Sequence, residues 1–394
     1  MSERKGEYIM KPYAIVEWND TKSEAKGWLC VYNLVEHYSG GGVRMHPSVT
    51  KEEVIRLAKM MAYKYNAAGA DDCGGMKAGI VYDSKAPDAY EVLKRFIQAI
   101  RPYVDLGLGI GADLGTKGPD FYRIFEELGM RVPATKTHCE DPVCIKGREQ
   151  IPILVDAMID GFTLNDAMTG YGVAFAADEA WKIRHQEAGG ARVVIQGFGC
   201  VGASCASKMK QLGYTVIGIA DAQNLVVCEE GLDVAELIAH KNQYGEMDPA
   251  YFPETYAVRP NTDWLDIDCD ILIPAALEDV INAGNPDKLG DKLLVEGANI
   301  PVSAEADEVL RKRNVDMVPD FIANVGAIRF FSRCRRCQIE FTAEGAIRDI
   351  EEGVRDNVRM LFAEKDNTGR YIRDIAYERF EPTIQTEFEF TSNR

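Results

Sequence analysis

The sequence predicts an α/β protein of two domains, an N-terminal α/β domain with its own sheet and a Rossmann dinucleotide-binding domain. Three observations carry this. The chain has 394 residues, more than a single hydrophobic core of ordinary size accommodates. Its composition, 46% hydrophobic and 27% charged, is that of a globular protein and excludes wholesale disorder. From about 150 to 320, short β-branched runs alternate with helical patterns, as a wound α/β sheet requires.

Charge narrows the function classes. Lys and Arg number 45 against 62 Asp and Glu, a net charge of −17, which argues against a nucleic acid or an anionic membrane as partner. No apolar run approaches the roughly 20 residues of a membrane span, and the opening residues MSERKGEYIMKPY carry no apolar secretory core. The expectation is a cytoplasmic protein. Its 10 cysteines then read as reduced thiols. Cys334 and Cys337 form a C-x-x-C with no second pair, and His138, Cys139 and Cys144 lack a fourth ligand, so no metal is assigned.

In the first segment, Thr50-Lys51-Glu52-Glu53 is a capping box that starts a helix. Val54, Leu57, Met61 and Lys64 then share one stripe. Lys64 rides on the apolar face, where a cation needs a partner. Two glycine-rich runs bracket this helix, GGGVRM (40–45) and GGMKAGI (74–80). Lys77 sits between Gly74-Gly75 and Gly79, so backbone can close around its amine, and a lysine so held can titrate nearer neutrality. Asp113 lies in LGLGIGADLGT, whose glycines leave its carboxylate few side-chain neighbours. Two lysines and a carboxylate on such segments suit a site that binds a carboxylate and moves a proton; ordinary surface charges beside turns are the competing reading. The run ATKTHCEDPVCIKGREQIP breaks every regular period and places the domain boundary at 144/145. The expected division is 1–144, completed by C-terminal helices over 326–394, and a Rossmann domain over 145–325.

Residues 192–221 are the most legible piece. A strand, Arg192–Gln196, runs into Gly197-Phe198-Gly199-Cys200-Val201-Gly202, a G-x-G-x-x-G. A helix follows with Val201, Cys205, Met209 and Leu212 on one face, and a second strand, Thr215–Ala220, ends at Asp221. Gly197 allows the tight turn, Gly199 admits a pyrophosphate to the backbone, and Gly202 lets helix and strand pack. The helix N-terminus offers free N–H groups to the phosphates. Asp221 would bond ribose hydroxyls and repel a 2′-phosphate, which favours NAD and leaves NADP open. Further strands are expected at Cys269–Ile273, Lys292–Glu296 and Val315–Val318.

Taken in order, GGVRMHPSVT, GGMKAGI, GADLGT, the TG of MTGYGV, VVIQGFGCVG, CDILIPAAL, EGAN and PDFIANVG resemble the glutamate/leucine/phenylalanine/valine dehydrogenase superfamily over residues 40–328. The resemblance implies NAD-dependent oxidative deamination of an L-amino acid to a 2-oxo acid and ammonium, with hydride passing from the α-carbon to nicotinamide. It implies that Lys64 holds the substrate α-carboxylate, Lys77 activates water and Asp113 shuttles protons. It puts Gly41, Met45, Asn324, Ile328 and Phe331 beside the substrate. Thr169, Ala275, Ala276 and Asn299 would line the cofactor with the glycine motif. A homo-oligomer is implied as well.

Departures from the family pattern bear on the substrate. Glutamate-specific members carry a lysine where this chain has Ser39-Gly40, and a serine where it has Phe331, with Ile328 nearby. Those changes disfavour glutamate, whose side-chain carboxylate would be buried unpaired, and favour an apolar side chain. Tyr171 replaces a frequent arginine, and Arg329, Arg333, Arg335 and Arg336 concentrate positive charge. The first expectation for this cluster is an exposed helix pairing with acidic neighbours; if instead Arg329 or Arg333 met an anionic substrate group or a subunit partner, the substrate could be a charged or unusual amine. A catalytically silent NAD-binding scaffold is a third reading, opposed by the joint presence of Lys64, Lys77 and Asp113.

Overall fold

The computed structural model describes residues 11–131, 141–187 and 189–382. These group into two compact units, the first from 11–66, 71–131 and 381–382, the second from 67–70, 141–187 and 189–380.

The first unit holds strands β1 (Ala14–Asn19), β2 (Lys26–Val31), β3 (Ser39–Met45), β4 (Gly74–Val81) and β5 (Gly109–Ala112), in the order β1-β2-β4-β3-β5. β1, β2 and β4 pair antiparallel, whereas β3 runs parallel to both β4 and β5. Helix α1 (Lys51–Ala67) covers one face through Val54, Ala58 and Ala62, packed with Trp28 and Cys30. Helices α2 (Ala89–Asp105) and α3 (Gly118–Glu127) cover the other, burying Phe96, Ile97, Phe121 and Ile124 against Val43, Met45, Met76 and Ile80. Removing each such side chain from water contributes about 1.5–3 kcal/mol. Both faces are covered, so the central strand β4 reads as a nearly continuous buried run and not as an alternation.

The second unit opens with α4 (Pro142–Val155) and a short hairpin, β6 (Met158–Ile159) and β7 (Phe162–Thr163), before α5 (Leu164–His185). Seven strands follow: β8 (Arg192–Gln196), β9 (Thr215–Ala220), β10 (Asn224–Val227), β11 (Ala257–Pro260), β12 (Ile271–Pro274), β13 (Leu293–Val295) and β14 (Met317–Val318). Their order is β11-β10-β9-β8-β12-β13-β14. The five strands expected from sequence form its parallel core; the antiparallel edge of β10 and β11 is additional. The remaining helices are α6 (Cys200–Gln211), α7 (Val234–Ala239), α8 (Ala304–Arg313), α9 (Asp320–Ala323), α10 (Gly326–Arg335), α11 (Ala343–Thr368) and α12 (Ile372–Arg379).

Two expectations about organisation need correction. The aperiodic stretch after 140 contains a helix, because Asp141 caps it by accepting from Val143 N–H at 2.8 Å and Pro142 suits its first position. The C-terminal helices over 326–380 belong to the second unit and do not complete the first. Charge pairing fixes them there: Arg355 Nη1 lies 2.7 Å from Asp178 and 2.9 Å from Glu179 on α5. Arg373 of α12 makes a buried bidentate pair with Glu296. Among the described residues, no helix is long and apolar enough to cross a membrane.

Candidate active site

Strand alternation builds the chemical cluster of the first unit. Along β4, Met76, Ala78 and Ile80 enter the core shared with α2 and α3. Gly75, Lys77 and Gly79 therefore face α1. A Cβ on Gly75 would stand 2.1 Å from Ala62 N, and one on Gly79 2.5 Å from the Val54 side chain. Glycine at both positions lets α1 lie almost on the sheet backbone, and Lys77 is enclosed at 3% exposure.

The Lys77 ammonium meets Asp113 Oδ2 at 2.9 Å. Arg44, on the same face of β3, donates from Nε to that same oxygen at 3.0 Å. Its Nη1 donates to Glu53 in the first turn of α1 at 2.5 Å. Burial lowers the Lys77 pKa; Asp113 opposes that shift, and the Arg44 charge adds to it. Burial pushes Asp113 the other way, yet Lys77 and Arg44 together outweigh it and hold the carboxyl well below its usual range. The expectation that Asp113 has few side-chain neighbours is thus overturned: glycines thin its own loop, but β3 and β4 bring it two cations. Lys64 is buried on α1 as its stripe predicted, at 6% exposure. Met45 is not brought to the cluster. It points to the opposite face, 1% exposed in the α2/α3 core. Gly41 stands where a Cβ would meet Met76 O at 1.9 Å, which accounts for a glycine there by backbone approach.

The capping box is half realised. Thr50 Oγ1 accepts the Glu53 N–H at 3.1 Å, but the Glu53 carboxylate goes to Arg44. Arg44 and Glu53 are the residues that reading the sequence missed. The available signal was parity: Arg44 is two residues from Gly42 on β3, whose Cβ would touch the Asp113 side chain at 2.8 Å.

In the second unit the glycine motif has the geometry its chemistry asks for. Gly197 takes φ +99 and approaches Ala275 and Ala276 so closely that a Cβ would stand 2.8 Å from their backbone. A Cβ on Gly202 would stand 1.9 Å from Gly197 O. At Gly199 a Cβ would meet nothing within 4 Å. That is room for a phosphate group beside the α6 N-terminus, with exposed Cys200 and part-exposed Val201 around it and Phe198 turned into the core. Ala275 N–H donates to Gln196 O at 2.6 Å, which locks the β8 and β12 ends together.

Asn324, after α9, donates from Nδ2 to Gly297 O, Ala298 O and Asn299 Oδ1 at 3.1, 3.3 and 3.2 Å. Its buried Oδ1 is left without a partner among the described residues, an acceptor suited to an amide or amine donor. Thr169 is half-buried on α5, where a Cβ on Gly326 would stand 3.2 Å from its N atom. Ile328 and Phe331 lie one turn apart on α10, both partly exposed, with Phe331 packed edge-on to Phe330.

Asp221 is more occupied than expected. Oδ1 accepts from Gln223 and Asn224 N–H, each at 2.7 Å, and Oδ2 accepts from Met247 N–H at 2.6 Å. The tight β9–β10 turn leaves N–H groups that a carboxylate satisfies, so a ribose hydroxyl would have to share Oδ2 with Met247.

Two members of the arginine cluster, Arg329 and Arg333, pair with an acidic neighbour. Arg329 grips Asp349 bidentately at 2.7 and 3.0 Å and Arg333 approaches the same carboxylate at 3.4 Å, so the expectation of an anionic substrate group at either is not supported. Tyr171 is buried and donates to Asp160 at 2.9 Å, with Lys208 over its ring. Cys334 and Cys337 lie against Gly147 O and Val143 O of α4 at 3.5 and 3.3 Å, and Cys144 is buried on that helix. His138 and Cys139 lie outside the described residues. Among the described residues no group of three or more potential ligands could hold a metal.

Residues 161–377 match the glutamate/leucine/phenylalanine/valine dehydrogenase family, and residues 11–130 match its dimerisation domain. The chain is 33% identical over 307 residues to a NADP-specific glutamate dehydrogenase of Saccharolobus shibatae, covering 77% of this chain and 69% of that one. It is 30% identical over 343 residues to an NAD-specific glutamate dehydrogenase of Staphylococcus aureus, covering 85% and 78%. In fold it is similar to a hetero-hexameric glutamate dehydrogenase from Thermus thermophilus in a Leu-bound form, with TM-score 0.74, 23% identity, and coverage of 94% and 89%.

Proposed function

The chain belongs to the glutamate/leucine/phenylalanine/valine dehydrogenase family, and from that premise we propose that it oxidatively deaminates an L-amino acid with an apolar side chain, reversibly, using NAD in preference to NADP. The observation that carries the reading is the buried Lys77 amine 2.9 Å from Asp113, in a chain whose second unit bears a complete dinucleotide motif. Nicotinamide, when bound, accepts the hydride. The chain's own residues bind, orient and move protons. Lys64 pairs with the substrate α-carboxylate. Lys77, whose burial favours the neutral amine, takes a proton from the water that adds to the α-carbon once hydride loss has turned its bond to nitrogen into an iminium. Asp113, kept ionised, exchanges protons with the departing amino group, which leaves as ammonium. Asn324 Oδ1 accepts from an amide or amine donor. The main-chain N–H groups at the start of α6 hold the pyrophosphate.

The named relatives are glutamate dehydrogenases, so the substrate is where this chain is expected to depart from them. Gly40 removes the lysine that would meet a side-chain carboxylate, and Ile328 and Phe331 offer it no hydrogen bond. Arg329 and Arg333, engaged with Asp349, do not substitute for it. The family's dimerisation domain over residues 11–130 supports a homo-oligomer. The test is NADH formation across a panel of L-amino acids, with NAD and NADP in parallel. An apolar amino acid is expected to exceed glutamate in kcat/KM by about 100-fold, the scale of leaving a carboxylate buried without a partner. Glutamate as the best substrate would overturn the pocket argument while keeping the chemistry. Binding of NADH with no turnover of any member would favour the scaffold reading.

A further inference from the structure

We propose that Arg44, held by Glu53, is a positioning residue of the deamination site: it fixes the Asp113 carboxylate through Oδ2 and sets the charge balance in which Lys77 works. The inference rests on the proposed deamination and deepens it.

The geometry is a chain of four charged side chains drawn from three elements and the turn after a fourth. Glu53 comes from the first turn of α1, Arg44 from β3, Asp113 from the position just after β5 and Lys77 from β4. Arg44 is 5% exposed, too costly a place for a guanidinium without paired carboxylates. It has them on both sides, Asp113 at 3.0 Å and Glu53 at 2.5 Å. The planar fork uses Nε for one and Nη1 for the other, which a lysine could not reproduce.

Both cations end on one oxygen of Asp113. Arg44 Nε and Lys77 Nζ lie 3.0 and 2.9 Å from Oδ2, and Oδ1 is left to exchange a proton with a substrate amine. Arg44 therefore stops the carboxylate rotating its proton-accepting oxygen into the lysine. Electrostatically, two cations and two carboxylates balance. Arg44 lowers the Lys77 pKa and Glu53 raises it, while Asp113 also raises it. The two variants Arg44→Leu and Glu53→Gln therefore act on Lys77 in opposite senses.

The experiment is the pH profile of kcat/KM for deamination in the wild type, Arg44→Leu, Arg44→Lys and Glu53→Gln. The acid limb reports the neutral Lys77 amine and the ionised Asp113. Removing the Arg44 charge raises both pKa values, so the limb of Arg44→Leu is expected to move up by about one pH unit. Glu53→Gln should move it down. Arg44→Lys should restore the limb towards wild type while kcat stays reduced, because a point charge cannot bridge both carboxylates. A uniform fall in activity with unmoved limbs, or a shift of the same sign in Arg44→Leu and Glu53→Gln, would overturn the proposal. Direct titration of the Lys77 amine by NMR on 13Cε-lysine protein, assigned through Lys77→Arg, reads the same opposed shifts without turnover. It tests the charge balance even if the deamination reading itself fails, and unmoved or same-sign amine shifts would overturn the balance. Thermal unfolding of each variant identifies a protein that has merely lost its fold, and in that case Arg44→Gln takes the place of Arg44→Leu.

Discussion

Two glycine-rich stretches, one in each unit, look alike in sequence and do opposite work. In GGMKAGI the glycines are filled from outside: α1 rests on them, and Cβ atoms at Gly75 and Gly79 would collide with it. What that contact buries is a side chain, Lys77, whose chemistry comes from being enclosed. In GFGCVG the first and last glycines serve internal packing in the same way, but Gly199 faces open space. There the proposed working groups are main-chain N–H and not a side chain. Glycine in the first unit encloses a titratable group; glycine in the second leaves open space beside a helix N-terminus.

That contrast can be broken most directly at Lys77. Lys77→Ala is expected to lower kcat by about 1,000-fold, the range of a positioned acid–base group, while NADH still binds in a fluorescence titration. If NADH binding were lost with it, the division of labour between the units would be wrong.

Next come the glycines themselves. Gly202→Ala forces a Cβ to 1.9 Å from Gly197 O and should cost about 2 kcal/mol in chemical denaturation, as overpacking does. Gly199→Ala should leave stability within about 0.5 kcal/mol yet weaken NADH binding about tenfold by crowding the phosphate. Equal losses of stability in the two variants would erase the distinction between packing glycine and berth glycine.

A subtler check is the pH dependence of the intact enzyme. Burial lowers the Lys77 pKa, so the neutral amine, the working form in the proposed mechanism, is populated below the ordinary lysine range. Deamination kcat/KM should rise with pH and level off below about pH 10, where an exposed lysine would still be titrating. A limb at or above that value would mean Lys77 is solvated during turnover. The smallest effect is expected at the start of α1, where Thr50→Ala removes the Glu53 N–H acceptor. It should cost about 1 kcal/mol of stability and leave the pH profile in place, because the Glu53 carboxylate is held by Arg44 and not by the cap.

Legibility followed the range of the interaction. The β8 and β9 limits, the glycine turn and the α1 stripe were readable because each is decided by neighbours within a few residues. β10 and β11 escaped because short edge strands carry little periodic signal. The helix after Asp141 was hidden by its two prolines and low amphipathicity. The C-terminal helices went to the wrong unit in the sequence reading because charged surface positions reveal a helix but not its partner: Arg355 is read as solvated until Asp178 and Glu179 stand beside it.

The sequence by itself determined a wound α/β chain with a dinucleotide motif, and it named Lys64, Lys77 and Asp113 as the residues with chemistry to do. These depend on residue type and local spacing, which a chain carries before it folds. Only the tertiary structure decided that Asp113 lies between two cations, that Arg44 and Glu53 join it, that Met45 turns away, and that Arg329 is spent on Asp349. Those outcomes depend on which strand lies beside which. β3 and β5 are neighbours in space but far apart along the chain, and a charge acts through distance in space.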